Sequence, residues 1–190
     1  LDKGIFGSLV PQGNGRLILP INSFVDENEN LYIADIKAKK INKYDANGKY
    51  LLEFGMGENN APSDIHIKHN KIWVCDTKNN RVNVYDEQTN NLLYHLPKNE
   101  EVGSTGWLYS PSNIFVGENK IYVTDWGAGQ VKVYTLEGDF VQSIGSFGKN
   151  TGQFVRPKGL AVDKEGNVYV VDSSFSNAQV FNEEGQLLLW

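Results

Sequence analysis

Four short runs in this 190-residue chain end the same way: Leu31-Tyr-Ile-Ala-Asp35, Ile72-Trp-Val-Cys-Asp76, Ile121-Tyr-Val-Thr-Asp125 and Val168-Tyr-Val-Val-Asp172. Nine residues after each Asp stands an aromatic: Tyr44, Tyr85, Tyr134 and Phe181. Fourteen or fifteen residues before it stands a proline: Pro20, Pro62, Pro111 and Pro157. The Asp-to-Asp steps are 41, 49 and 47 residues. Three columns in register over four units make this a repeat protein, in which one supersecondary unit is stacked against copies of itself.

Each unit reads as four short strands. The first follows the proline, as in Ile65-His-Ile or Gly159-Leu-Ala-Val. A turn rich in Asn, Gly and acid leads into the second strand, which ends in the Asp. The third alternates polar and apolar residues, as in Val131-Lys-Val-Tyr134, and the fourth is a run such as Tyr50-Leu-Leu-Glu-Phe54. No segment sustains a helical period of apolar residues. Four strands per 40–50 residues is the signature of a β-propeller blade, so the expected class is all-β.

Two stretches carry a family resemblance. Gly152-Gln-Phe-Val-Arg-Pro-Lys-Gly-Leu-Ala-Val-Asp-Lys-Glu-Gly-Asn-Val-Tyr-Val-Val-Asp172 resembles a nearly complete NHL repeat, and Asp76-Thr-Lys-Asn-Asn-Arg-Val-Asn-Val-Tyr-Asp86 resembles its second half. The likeness runs from about residue 16 onward and implies NHL-like blades at about 16–55, 56–97, 98–145 and 146–190. The family's Arg five residues after the Asp survives only as Arg81, with Lys40, Gln130 and Asn177 elsewhere; this column is read as inter-blade packing and polar bonding. NHL propellers usually close with six blades. The expectation is therefore a partial or open propeller, with residues 1–15 the tail of a preceding blade or a closing strand. A larger chain or an oligomer would complete the ring.

Composition excludes several classes. Lys and Arg number 18 against 23 Asp and Glu, a net charge of −5 that argues against nucleic acid, whose affinity comes from clustered cations. The local basic run Lys37, Lys39, Lys40 and Lys43 has no counterpart in the other units. One cysteine excludes an intramolecular disulfide and CxxC-type metal knuckles. The longest apolar stretches fall far short of a membrane span.

The columns separate structure from chemistry. A catalytic acid belongs to one blade, so Asp35, Asp76, Asp125 and Asp172 are read as a structural repeat whose carboxylates accept N–H bonds in the loop that follows. Tyr32, Trp73, Tyr122 and Tyr169, like the column from Tyr44 to Phe181, are assigned to packing between blades. Asp26-Glu-Asn-Glu29 and Glu183-Glu184 fall in tight turns and read as solvated carboxylates. The three histidines do not converge. His66 lies on an innermost strand and is a candidate to line the central channel, His69 sits in a turn, and His95 is on an outermost strand. NHL-like lyases that complete peptide amidation hold zinc with histidines just after the leading proline. Here those positions are Ile21, Ser63, Ser112 and Lys158, so that site is not carried over and neither metal nor cofactor is expected.

What remains is the loop face. Loops after the second and fourth strands share one face and differ most between units. Trp107 and Tyr109 lie in the longest connection, Trp126 and Phe175 follow the second-strand Asp of their units, and Arg156 and Lys158 flank a leading proline. Rigidly held aromatics suit recognition, although rings plugged against neighbouring loops would give the same pattern. The expected function is a non-catalytic binding scaffold for a protein, peptide or glycan. The alternatives are a metal-dependent lyase or lactonase completed by further blades, and a purely structural module. The family's use in exported proteins points to an extracytoplasmic location.

Overall fold

In the computed structural model, residues 14–55 and 57–189 are described. The expectation for residues 1–15 therefore falls almost wholly outside them, as does Trp190. The first sheet holds β1 (Pro20–Val25), β2 (Leu31–Asp35), β3 (Lys40–Tyr44) and β4 (Tyr50–Gly55). The second holds β5 (Pro62–Lys68), β6 (Lys71–Asp76), β7 (Arg81–Asp86) and β8 (Leu92–Leu96). The third holds β9 (Pro111–Val116), β10 (Lys120–Asp125), β11 (Gln130–Thr135) and β12 (Phe140–Ile144). A short parallel pair, β13 (Ser146–Phe147) and β14 (Gln153–Phe154), lies in the next connection. The fourth sheet holds β15 (Pro157–Val162), β16 (Val168–Asp172), β17 (Asn177–Phe181) and β18 (Leu187–Leu189). Every four-stranded sheet is an antiparallel meander in chain order. The described residues contain no helix beyond one 3-10 turn, Thr77–Asn79. The class is all-β, as the alternation requires.

Turn chemistry closes each hairpin. Asp26, Asp45, Asp86 and Asp163 each turn Oδ1 back onto two backbone N–H groups two to four residues on. These carboxylates are occupied in Asx turns, which is why acids concentrate there. Asp163 is held below its ordinary carboxylate range chiefly by its bond from the Asn167 amide.

The core lies between sheets rather than within them. Tyr32, Ala34 and Ile41 of the first sheet meet Ile65, Ile72, Val74 and Tyr85 of the second. Trp73, Cys75 and Val82 on the second sheet's other face meet Ile114, Ile121, Val123 and Tyr134 of the third. Tyr122, Val131 and Val133 then meet Val168, Val170 and Phe181 of the fourth. Successive residues of β6 thus serve opposite cores, the period-2 rule of a strand buried on both faces. Burial pushes the Cys75 thiol well above its ordinary value.

The fourth sheet ends this series. Tyr32, Trp73 and Tyr122 are buried against the following sheet, whereas Tyr169 at the same position is 41% exposed. Val171 is 46% exposed, while its counterparts Ala34, Cys75 and Thr124 are fully buried. Among the described residues nothing covers these side chains on the outer face of the fourth sheet.

One expectation needs correction. The polar bonds of Lys40, Arg81 and Gln130 stay within their own blades and do not bridge to a neighbour. Lys40 pairs with Glu53, Arg81 with Asp76 and the His95 ring, and Gln130 donates to the Gly145 carbonyl. Each of these three opens the third strand of its sheet, beside the fourth, so its long side chain reaches along its own sheet.

Candidate functional site

The Asp and Pro columns form one device. Each proline opens an innermost strand and pairs in register with the Asp closing the second strand: Pro20 with Asp35, Pro62 with Asp76, Pro111 with Asp125, Pro157 with Asp172. Proline has no N–H to give the ladder, so the donors just before it need another acceptor. The carboxylate supplies it. Asp35 accepts from Ile18 and Leu19, Asp125 from Tyr109 and Ser110, Asp172 from Val155 and Arg156, and Asp76 from Ala61. The N–H after each Asp then returns to the carbonyl of the residue just before the proline: Ile36 to Leu19, Thr77 to Ala61, Trp126 to Ser110, Ser173 to Arg156. The carboxylates therefore hold the segment ahead of their strand as well as the loop behind, a reach that sequence spacing does not show. Burial raises Asp125 despite its three N–H donors and the nearby Lys132. For Asp172 burial acts in the same direction, but four backbone N–H bonds outweigh it and the carboxyl lies below its ordinary value.

This clasp fixes the backbone at the mouth of the channel on the loop face. A cavity of about 400 Å³ opens there, and all four sheets contribute to it. The first gives Ile21, Asn22 and Ile36; the second, Ser63; the third, Ser112, Asn113 and Trp126; the fourth, Arg156, Lys158 and Gly159. The positions after the four leading prolines all reach this one cavity. The Trp126 ring is 44% exposed, and the Arg156 guanidinium lies over it at 4.8 Å from the ring centroid. Lys158 is exposed, and its carbonyl accepts from Thr124 Oγ1. Ser63 donates its hydroxyl proton to the Pro111 carbonyl, and the Ser112 hydroxyl lies within hydrogen-bond distance of Thr124 and of the Pro157 carbonyl, tying neighbouring innermost strands together.

Of the six loop-face residues named from sequence, Trp126, Arg156 and Lys158 share this cavity; Trp107, Tyr109 and Phe175 do not line it. Tyr109 is 45% exposed, and its Cβ lies 2.6 Å from where a Cβ on Gly127 would fall, so the two loops touch there. Trp107 sits half-buried between Gly106, whose carbonyl accepts from the Tyr134 hydroxyl, and Leu108, fully buried in the core. Phe175 is half-buried, with its N–H on Asp172.

His66 lies on the channel-side strand, with its ring 4.8 Å from that of Phe24 and 5.3 Å from that of Phe115. Burial, reinforced by Lys68, lowers it to about 4. It borders a separate cavity of about 680 Å³ on the opposite face, together with Asp26, Lys43, His69 and Glu87.

Two sets of residues went unnoticed in the sequence. Asp64 is buried between β5 and β9, accepting from Ile65 and Ile114; burial raises it to about 6 despite those bonds. Its counterparts Asn22, Asn113 and Gly159 carry no charge, and that difference was the available signal. Asn42, Asn83, Lys132 and Gln179, seven residues after each Asp, form a buried polar column. Lys132 donates to the Thr105 carbonyl and to Ser143, and Gln179 accepts from Gly152 and donates to the Gln153 carbonyl. Their changing chemistry hid them, because the earlier columns were found by identity. Among the described residues no group of three or more His, Cys, Asp or Glu gathers closely enough to hold a metal, and no helix is long and apolar enough to cross a membrane.

Comparison with known proteins agrees with this architecture. A family described as a 6-bladed beta-propeller matches residues 106–186. No curated protein matches the chain. Among solved structures, a catalytically inactive virginiamycin B lyase from Staphylococcus aureus, solved with quinupristin, superposes with a TM-score of 0.71 at 16% identity, covering 96% of this chain and 57% of that one. A streptogramin B lyase gives 0.73 at 15% identity over 97% and 57%, and hydrazine synthase from Kuenenia stuttgartiensis 0.71 at 15% over 95% and 51%. The chain thus spans just over half the length of these structures. At such identities the likeness is one of fold, and the fold is a β-propeller of four-stranded antiparallel blades.

Proposed function

We propose that the chain is part of an NHL-type propeller that works as a binding scaffold, recognising a protein, peptide or glycan through its loop face. One observation carries this reading: residues from all four sheets converge on a single cavity at the channel mouth, lined by an exposed tryptophan and two cations. The clasps hold the backbone under these side chains rigid, so little ordering entropy is lost on contact. Large aromatic and arginine side chains in such a position are the usual anchors of an interface. Further blades, supplied by a longer chain or by another copy, would complete the ring around the same mouth.

A random-peptide library and a glycan array, each screened against the chain, test this. Ligands should compete with one another and lose about 30-fold in affinity in Trp126→Ala, the scale of a hot spot of ~2 kcal/mol. Ligands that bind Trp126→Ala unchanged would place the working surface elsewhere.

A further inference from the structure

The loop-face reading leaves the chemistry of the ligand open, and the cavity narrows it. We propose that this site takes a carboxylate carried on an apolar body with an adjacent amide N–H, the chemistry of an N-acyl amino acid or a peptide C-terminus; the inference rests on the binding-scaffold reading above.

Charge comes first. The cavity is lined by Arg156 and Lys158 and by no acid, although the whole chain carries −5. Neither cation has an ion-pair partner among the described residues, where the ion pairs belong to Lys40, Lys68, Arg81 and Lys120. The Arg156 guanidinium rests over the Trp126 ring, and no hydrogen bond among the described residues occupies its N–H groups, which suit the two oxygens of a carboxylate.

An arginine fork pairs with phosphate as well as with carboxylate, but phosphate sites commonly add a nest of backbone N–H groups to their cations. The nearest such donors, at Tyr109, Ser110, Val155 and Arg156, are already taken by Asp125 and Asp172. A fork and an ammonium remain, which suits a two-oxygen anion.

The rest of the wall specifies the rest of the ligand. Ser63 has given its proton to the Pro111 carbonyl, so its oxygen offers lone pairs to an incoming N–H. Trp126, Ile21 and Ile36 supply apolar surface beside the cations, and about 400 Å³ lies within the range of small-molecule sites.

The test is a calorimetric titration of the 190-residue chain at low salt with three probes: N-acetylphenylalanine, its primary amide, and the tripeptide acid Ala-Ala-Phe. The acid should bind about tenfold or more tighter than the amide. Arg156→Gln and Lys158→Gln should each remove most of that preference while leaving the thermal midpoint unchanged. A tripeptide that binds tighter than N-acetylphenylalanine assigns the site to a peptide end, and the reverse order assigns it to a free acyl amino acid. Equal binding of acid and amide, binding of neither at millimolar concentration, or a preference that survives both substitutions overturns the proposal. Trp126→Ala separates the two claims: if it abolishes binding of acid and amide alike, the loop-face site stands even where the carboxylate preference fails.

Discussion

Asp125 shows how one side chain can serve the fold and the site together. Its carboxylate takes N–H bonds from Tyr109 and Ser110 ahead of the strand and from Ala128 behind it, and so holds the backbone on which Trp126 stands. Asp125→Ala strands those donors and should cost about 3 kcal/mol in urea unfolding. A value under about 1 kcal/mol would mean that the clasp contributes little. The repeat of this residue was legible in sequence, but its partners were not, because they lie some 15 residues upstream and meet it only once the first and second strands pair. Asp64 and His66, two residues apart on β5, lead to a second expectation. The carboxyl is raised to about 6 from 3.8, so Asp64 is protonated in the fold where the unfolded chain has already ionised. Its contribution is present at low pH and lost as pH rises from about 4 to 6. The imidazole is lowered to about 4 from 6.5, so its contribution is present at neutral pH and lost as pH falls from about 6.5 to 4. The two slopes oppose one another over the same interval, and the pair should leave stability nearly flat there. Asp64→Asn should unmask a loss of stability toward pH 4, and His66→Phe a loss toward pH 6.5. Parallel profiles for the two variants would contradict this.

At the scale of elements, period-2 alternation predicted the strands well, because burial on one or both faces leaves a mark in residue type. The connections were harder to read. The parallel pair β13–β14 has only two residues on each strand and no pattern to betray it. The long connection between β8 and β9 looked like a display loop for Trp107 and Tyr109. It also sends Leu108 into the core between the second and third sheets. Leu108→Ala should therefore cost about 3 kcal/mol, the range for a buried leucine. Trp107→Ala should leave ligand affinity within about twofold, since that ring does not line the cavity. If Trp107→Ala weakens binding as much as Trp126→Ala, the recognition surface extends over the connection.

Among the described residues, three inter-sheet cores join the four sheets, and the outer face of the fourth is left exposed. Tyr169 and Val171 occupy positions that are buried wherever another sheet follows. At about 25 cal/mol per Å² of apolar surface, such a face favours a partner strongly. The 190-residue chain by itself should accordingly self-associate in sedimentation, and Tyr169→Lys with Val171→Lys should return it to a monomer. A wild-type monomer with no concentration dependence would mean that this face needs no cover. The architecture was open to sequence reasoning because four copies of one unit repeat its rules. The cavity was only half open to it, since convergence of Trp126, Arg156 and Lys158 depends on how far the sheets rotate about the channel. The central claim is that this mouth is the working site. The most direct measurement follows the indole N–H resonances of the chain during titration with N-acetylphenylalanine. The account predicts a saturable shift at Trp126 with Trp107 and Trp73 unmoved. No shift at Trp126 at saturating ligand, or an equal shift at Trp107 or Trp73, would contradict it.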